Sequence, residues 1–361
     1  MDQSLLNKVY ALRAELHGLA ELSGREQKTK KRLADFLRGN TSLFIEDNGQ
    51  WFCALHKEAG ARETIAFRAE MDALPGGGGA AHLCGHDGHG AVLAGLGMLL
   101  ENRTFHKNIL LVFQHAEETG EGGRECSAAL SKYNAARAYA FHNVPGYTEG
   151  TVLLREGTFA CASRGMAVRF TGAPSHAAYP EDGRNPGFAA ARFTAFLPEL
   201  EDKEEYGGLA MVTLAGAKIG QKAFGIAAGE ANVWLTLRSW QDADMEKLIA
   251  SIKKNARMQA AQDGVGVEFA FEEVFPATVN DAGETRRTEQ ICRKNGLACV
   301  KIPEPFRWSE DFAYYGMAAK TVMAGIGAGE AWPRLHTKNY EFNDRIIPAA
   351  LTFFLALAKE N

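Results

Sequence analysis

Apolar residues recur at helical spacing from the start of the chain: Leu5, Leu6, Val9, Leu12, Leu16 and Leu19 predict an amphipathic helix over about 4–21. A second helix is expected over about 25–38, with Leu33, Phe36 and Leu37 on its buried face. Short β-rich runs follow at 42–46, 51–56 and 64–71, then a helix at 87–101 and the apolar strand NILLVFQ at 108–114. AARAYAFHN (135–143) reads as a further strand. Near-continuous apolar strands alternating with helices predict an α/β sheet covered on both faces.

The texture changes near residue 163. RGMAVRFTG (164–172) and NVWLTLRSW (232–240) alternate with the two-residue period of half-exposed antiparallel strands. Strands are also expected at 209–217 and 265–274, and helices at about 185–200 and 242–262, in the order β-α-β-β-α-β. From about 276 the α/β style returns, with a strand at 320–327 and a closing helix at about 345–359. The expected organisation is an inserted α+β domain, 164–275, within a discontinuous core domain, 1–163 and 276–361. No internal repeat is evident, and GGGG (76–79) is the one low-complexity tract.

Composition narrows the classes. The chain has 361 residues, 46% hydrophobic and 23% charged, as expected of a globular protein with a sizeable core. A net charge of −4 supplies no basic footprint for nucleic acid. No run approaches the roughly 20 apolar residues of a membrane span, and the first residues lack a signal-peptide core. Six cysteines without framework spacing read as reduced thiols of a cytoplasmic protein.

The densest chemistry lies in HLCGHDGH (82–89), which holds a thiol, three imidazoles and a carboxylate. Cys84 and His86, one residue apart, can face one point in an extended loop, and thiolate with imidazole suits zinc or a similar ion. The same stretch also reads as a polar helix start, with Asp87 as cap and solvated histidines. FQHAEETGEGG (113–123) follows an apolar strand, where α/β sheets gather catalytic groups. Its adjacent Glu117 and Glu118 suit one metal-bound carboxylate and one base of raised pKa, or else a solvated acidic turn. His142 ends another strand, and His336 lies in a loop before the last helix; neither is decisive alone.

Together these segments resemble the aminoacylase–carboxypeptidase family of binuclear metallohydrolases, in the branch of hippurate and auxin-conjugate hydrolases. RAELHGLAELSGREQKT (13–29), FRAEMDALP (67–75), HLCGHDGH, LVFQHAEE, FHNVPGYTEGTV (141–152), GAPSHAAYPEDGRNP (172–186), SEDFAYY (309–315) and HTKNYEFND match family motifs in order over almost the whole chain. The resemblance implies a three-layer metallopeptidase-like catalytic domain with a mixed sheet, and an inserted ferredoxin-like domain acting as lid and dimer interface. It implies two divalent ions held by Cys84, His86, Glu118, His142 and His336, with the cysteine as bridge; zinc or manganese is expected, and cobalt or nickel is compatible. Glu117 would be the general base, Asp72 would orient a ligand, and His176 would stabilise the oxyanion, in this family often from the partner subunit. Arg238 would bind the substrate carboxylate, although a strand arginine on a solvated face is an equal reading.

The implied activity is hydrolysis of an N-acyl amino acid by a metal-activated water. A dipeptidase or carboxypeptidase of the same family is an alternative, as is a relative that binds conjugates without cleaving them. A cysteine-nucleophile hydrolase built on Cys84 would survive chelation, which a metal enzyme would not. GIGAG (325–329) has the wrong spacing for a dinucleotide loop. Four departures from the family pattern stand out. GGGGAA (76–81) replaces a longer rim loop and reads as a flexible linker. Glu70 replaces an aspartate, placing a longer arm near the metals. His115 replaces a proline, adding an imidazole beside the two glutamates. Gly225 replaces an asparagine that usually contacts substrate.

Overall fold

The structure is a computed structural model that describes residues 2–200 and 205–360. The chain divides into two compact units, Met1–Phe159 with Thr278–Pro305 and Glu310–Asn361, and Ala160–Ala277 with Phe306–Ser309.

The first unit opens with α1 (Gln3–His17), capped by the Asp2 side chain and ended at Gly18, so Leu19 lies beyond the helix that its spacing suggested. Then come α2 (Gln27–Asn40), β1 (Phe44–Asp47), β2 (Phe52–His56), β3 (Thr64–Glu70), β4 (Leu74–Gly76), β5 (Gly79–Ala81), α3 (His86–Leu100) and β6 (Asn108–Gln114). Two short helices, α4 (Gly122–Cys126) and α5 (Ala128–Lys132), lead to β7 (Ala135–Val144), β8 (Val152–Leu154) and β9 (Gly157–Ala160). The expected glycine linker is instead an antiparallel hairpin of β4 on β5, with register Leu74↔Ala81 and Gly76↔Gly79. Gly77 (φ 61°) and Gly78 (φ 85°) form its two-residue turn. Both need the left-handed region, which favours a turn matching the strand twist over an open coil.

The second unit runs β10 (Ala162–Thr171), α6 (Gly187–Phe196), β11 (Ala210–Ile219), β12 (Glu230–Ser239), α7 (Asp242–Gln262) and β13 (Gly266–Phe275). Its four strands form one sheet in the order β11-β12-β10-β13, antiparallel throughout. Alternate residues such as Val168, Phe170, Val233 and Leu235 turn inward onto Phe193 of α6 and Leu248 and Ile252 of α7. This is the half-buried period-two pattern read from the sequence.

The chain then returns to the first unit with β14 (Thr278–Asn280), α8 (Ala282–Lys294), β15 (Cys299–Lys301), a 3-10 segment at Asp311–Met317, β16 (Lys320–Gly327) and α9 (Ile347–Lys359). An eight-stranded mixed sheet results, in the order β1-β2-β6-β3-β7-β16-β8-β15. Its centre, β6-β3-β7-β16, is parallel. Those strands are almost wholly buried, which is why they read as apolar runs without alternation. Helices α1, α2 and α9 pack on α3, and Phe354 of α9 meets the rings of Phe67 (5.0 Å) and Phe141 (5.4 Å). Among the described residues no helix is long and apolar enough to cross a membrane.

Candidate metal centre

Four adjacent parallel strands deliver the chemistry at their carboxyl ends. β3 leads to Asp72, β6 to Glu117 and Glu118, β7 ends in His142 and Asn143, and β16 leads to the loop bearing His336. Ligands in α/β sheets gather there because backbone leaves the sheet at these ends and loops are free to converge.

Cys84 and His86 are aimed by Gly85, which starts α3 with φ 96°. A Cβ at Gly85 would lie 2.5 Å from Asn143 Oδ1 and 2.8 Å from Tyr340 Oη, so only glycine fits. Gly85, and not Asp87, is the helix cap; Asp87 is buried, and His17 Nδ1 lies 2.7 Å from its Oδ2. Cys84 Sγ sits 3.4 Å from His142 Nε2 and 3.3 Å from His336 Nε2. The His336 amide donates to Leu83 O (2.8 Å), joining the loop of Cys84 to that of His336. His86 Nε2 lies 3.8 Å from both Glu117 Oε2 and Glu118 Oε1, and His336 Nε2 lies 3.8 Å from Glu118 Oε1. Among the described residues, groups whose ligand atoms lie within 4.8 Å of one another include Cys84/His86/His142, Cys84/Glu118/His336 and His86/Glu117/Glu118. Cys84 belongs to two of them.

Neighbours fix these side chains. His86 Nδ1 faces Asp72 O (3.0 Å) and Oδ1 (3.1 Å), and His142 Nδ1 faces Asn143 O (2.9 Å). A carbonyl only accepts, so both rings carry a proton on Nδ1 and turn Nε2 toward the cluster, where the neutral ring has its lone pair. Asp72 Oδ2 also accepts the Glu118 amide (2.9 Å) and the Ser23 hydroxyl (2.8 Å). One buried carboxylate thus sets both an imidazole and a glutamate.

The electrostatics are those of a site built around a cation. Burial and then Glu310 and Glu118 push the Glu117 carboxyl well up; burial raises Glu118 to about 7. Burial and the two glutamates raise the Cys84 thiol. Burial lowers His142 to about 4. Burial alone would lower His86 too, but the Asp72 hydrogen bond and charge outweigh it and raise His86 to about 9. His86 Nε2 and Glu118 Oε1 are buried without a hydrogen bond, a costly arrangement that a coordinated ion would relieve. Thiol, imidazole and carboxylate form a donor set suited to zinc and its neighbours, so the residues fit a divalent metal.

Several side chains go elsewhere than their sequence positions suggested. His115 turns to a different carboxylate: Ala116 after it is left-handed (φ 49°), and His115 Nε2 lies 3.2 Å from Glu125 Oε2. Glu70 stays close to the cluster, sharing a close donor group with His86 and His89, but it is paired there with Arg68 and, at 2.7 Å, with His89 Nδ1. His82 and His89 are buried rather than solvated, His82 with its ring 6.2 Å from that of His17. The second unit carries His176, exposed, its Nδ1 accepting the Ala178 amide (3.1 Å). It also carries Arg238, half-buried, whose Nη1 donates to Arg307 O (2.7 Å) and Ser309 Oγ (3.1 Å). Gly225 O accepts the Ala177 amide (3.0 Å), joining the His176 turn to the 225–228 loop.

Sequence reasoning gave no role to Arg68, Glu310 or Asp311. The Arg68 guanidinium is fully buried against Gln114 (2.9 Å), Glu310 (2.8 Å) and Asp311 (2.5 Å). Glu117, Glu310 and Asp311 form another close acidic group. The adjacent carboxylates of SEDF, ahead of an aromatic run, were the available signal.

A mixed α/β sheet with buried thiol, imidazole and carboxylate groups at its strand ends defines the class, an α/β protein with a candidate metal centre. Comparison with known proteins makes it specific: the chain belongs to peptidase family M20/M25/M40, whose profile matches residues 66–360, and it is a hydrolase of amide bonds. It is 28% identical to the N-acetyldiaminopimelate deacetylase of Oenococcus oeni, over 90% of this chain and 91% of that one. It is 24% identical to the hippurate hydrolase of Campylobacter jejuni, over 96% and 94%. The fold matches the Bacillus subtilis YXEP protein, a dinuclear metal-binding peptidase of the M20 family, with a TM-score of 0.84 at 23% identity, covering 99% and 98% of the two chains.

Proposed function

We propose that this protein removes the acyl group from an N-acyl amino acid, using two divalent ions held by Cys84, His86, Glu118, His142 and His336. The observation that carries the reading is the Cys84-centred cluster, with buried His86 Nε2 and Glu118 Oε1 lacking any hydrogen bond. The names of the two relatives, a deacetylase of an N-acetylated amino acid and a hippurate hydrolase, support the substrate class.

When bound, the ions supply a water of near-neutral pKa and polarise the amide carbonyl. Glu117 would be the residue that accepts a proton from the attacking water and hands it to the leaving amine. Its raised pKa comes first from burial and then from Glu310 and Glu118, and suits a group that must both accept and release a proton. Asp72 holds His86 and Glu118 in register. His176 is assigned to the oxyanion: because Nδ1 accepts an amide, the neutral ring keeps its proton on Nε2 as a donor. Arg238 is assigned to the substrate carboxylate; among the described residues no side-chain carboxylate pairs with it. We further propose a homodimer through 164–275, in the cytoplasm, with zinc or manganese as the working ion.

A panel of N-acetyl and N-benzoyl amino acids, dipeptides and their C-terminal amides, assayed with and without chelator, tests the reading. Turnover should require metal and a free carboxylate. Glu117→Gln should keep its metal and lose about 10²–10⁴-fold in kcat. Equal turnover of amidated substrates would remove Arg238 from the scheme, and unchanged kcat in the glutamine variant would remove Glu117 as base.

A further inference from the structure

We infer that Glu26, remote from the ligands in sequence, is a positioning residue that holds the turn presenting Glu117 and Glu118; the inference rests on the base role proposed for Glu117. Glu26 stands at the start of α2 and is 1% exposed, yet its side chain does not cap that helix. The amides it would have capped, those of Lys28 and Thr29, are taken by Glu21 Oε2 at 2.8 and 2.9 Å. A second carboxylate has therefore been buried for another purpose. Its Oε1 accepts the Ala116 amide (2.8 Å) and the Gly24 amide (2.9 Å), while Oε2 is buried with no hydrogen bond.

Ala116 is the residue that most needs holding. It is buried and left-handed, a conformation that costs an L-residue about 1–2 kcal/mol. Its carbonyl accepts the amides of Glu121 (3.2 Å) and Gly122 (3.1 Å), closing the turn that carries Glu117 and Glu118. Gly122 completes it, since a Cβ there would lie 1.6 Å from His115 O. Without an acceptor at Glu26 the Ala116 amide is buried and unpaired. The backbone then escapes to a right-handed or extended conformation and redirects Glu117.

The test pairs Glu26→Ala with Ala116→Gly, since glycine adopts the left-handed region without penalty. Glu26→Ala should lower kcat about 100-fold, the loss expected of a small misplacement, with KM held within about threefold. Glu26→Gln, which keeps an oxygen acceptor, should stay near the parent protein. The double variant E26A/A116G should recover about fivefold to thirtyfold over E26A, the glycine advantage in that conformation. Hydrogen exchange on the metal-free protein gives a readout free of activity. The Glu121 and Gly122 amides should exchange at least about tenfold faster in E26A and return toward parent rates in the double variant. Should E26A not fold, Glu26→Asp, one methylene too short to reach, takes its place with the same rescue. Full activity in E26A, or a double variant no better than E26A in both kcat and exchange, overturns the inference. If no substrate is turned over by the parent protein, the proposed function fails while the exchange rates still decide whether Glu26 holds the turn.

Discussion

Asp72 is the residue whose loss should be felt most widely at the site, and the size of the effect can be worked out. Asp72→Asn is nearly isosteric. The oxygen that replaces Oδ1 can still face His86 Nδ1, now 3.1 Å away. The amide nitrogen that replaces Oδ2 meets two donors, the Glu118 amide at 2.9 Å and the Ser23 hydroxyl at 2.8 Å. The hydroxyl can rotate to accept, but the peptide amide cannot, so one buried donor is left facing another. Such an unsatisfied group costs about 1–3 kcal/mol. If His86 is a ligand, as proposed, the lost charge weakens it, and changes in the groups that orient metal ligands typically cost about 10–100-fold in affinity. The expected result is metal affinity lower by that factor, measured by competition with a chromogenic chelator, and kcat at saturating metal that recovers most of the parent value. Flipping the amide moves the clash to His86 and does not remove it. Affinity within about twofold of the parent would refute the claim that Asp72 couples His86 to Glu118.

Three further outcomes follow from other parts of the site. Protons compete with the ions: with Glu118 at about 7, lowering pH from 7.5 to 5.5 should weaken metal affinity roughly 25-fold through that group alone, and a flat affinity profile by calorimetry would contradict the assignment of Glu118 as ligand. Gly85→Ala should cost about 2–4 kcal/mol by denaturant titration and abolish metal retention, because the added Cβ meets Asn143 and Tyr340 in a left-handed backbone. In the β4–β5 turn, Gly77→Asn should raise stability by about 0.4–1 kcal/mol, since Asn-Gly suits that geometry and reduces the freedom of the unfolded chain; a loss of thermal stability would show the turn to be misassigned.

How much of this was legible depended on how each residue is buried. Strands such as Asn108–Gln114 and Lys320–Gly327 announce themselves because they are covered on both faces and are uniformly apolar. The alternating strands β10 and β12 of the second unit were equally visible, each with a wetter and a drier face. The three-residue strands β8, β14 and β15 are too short for any period, and the β4–β5 hairpin hides in a glycine run whose backbone angles alone make it a turn. Within the site, residues clustered by motif could be named from sequence. Arg68, Glu26 and the direction of His115 could not, because each is set by tertiary partners and not by neighbours in the chain. A buried arginine bridging β3, β6 and the 311–317 segment leaves no periodic trace. The turn at Ala116 depends on a carboxylate 90 residues away.

The position of β16 has a consequence for how the protein comes into being. It lies inside the eight-stranded sheet, between β7 and β8, although it is made almost last. Until residues 320–327 arrive, a nascent chain has β7 and β8 facing an empty slot, and His336 has yet to meet Cys84, its neighbour at a separation of 252 residues. The second unit, made almost entirely of 160–277, can close its own sheet long before that. Synthesis at about 5–20 residues per second sets an interval of about 2–10 seconds between the two events. In that interval the chain exposes two unpaired strand edges and the Cys84 thiol without its His336 neighbour. Contacts of such high sequence separation form slowly, so the Cys84–His336 contact belongs to the end of folding and not to its nucleation, and under the proposed ligand set so would ion capture.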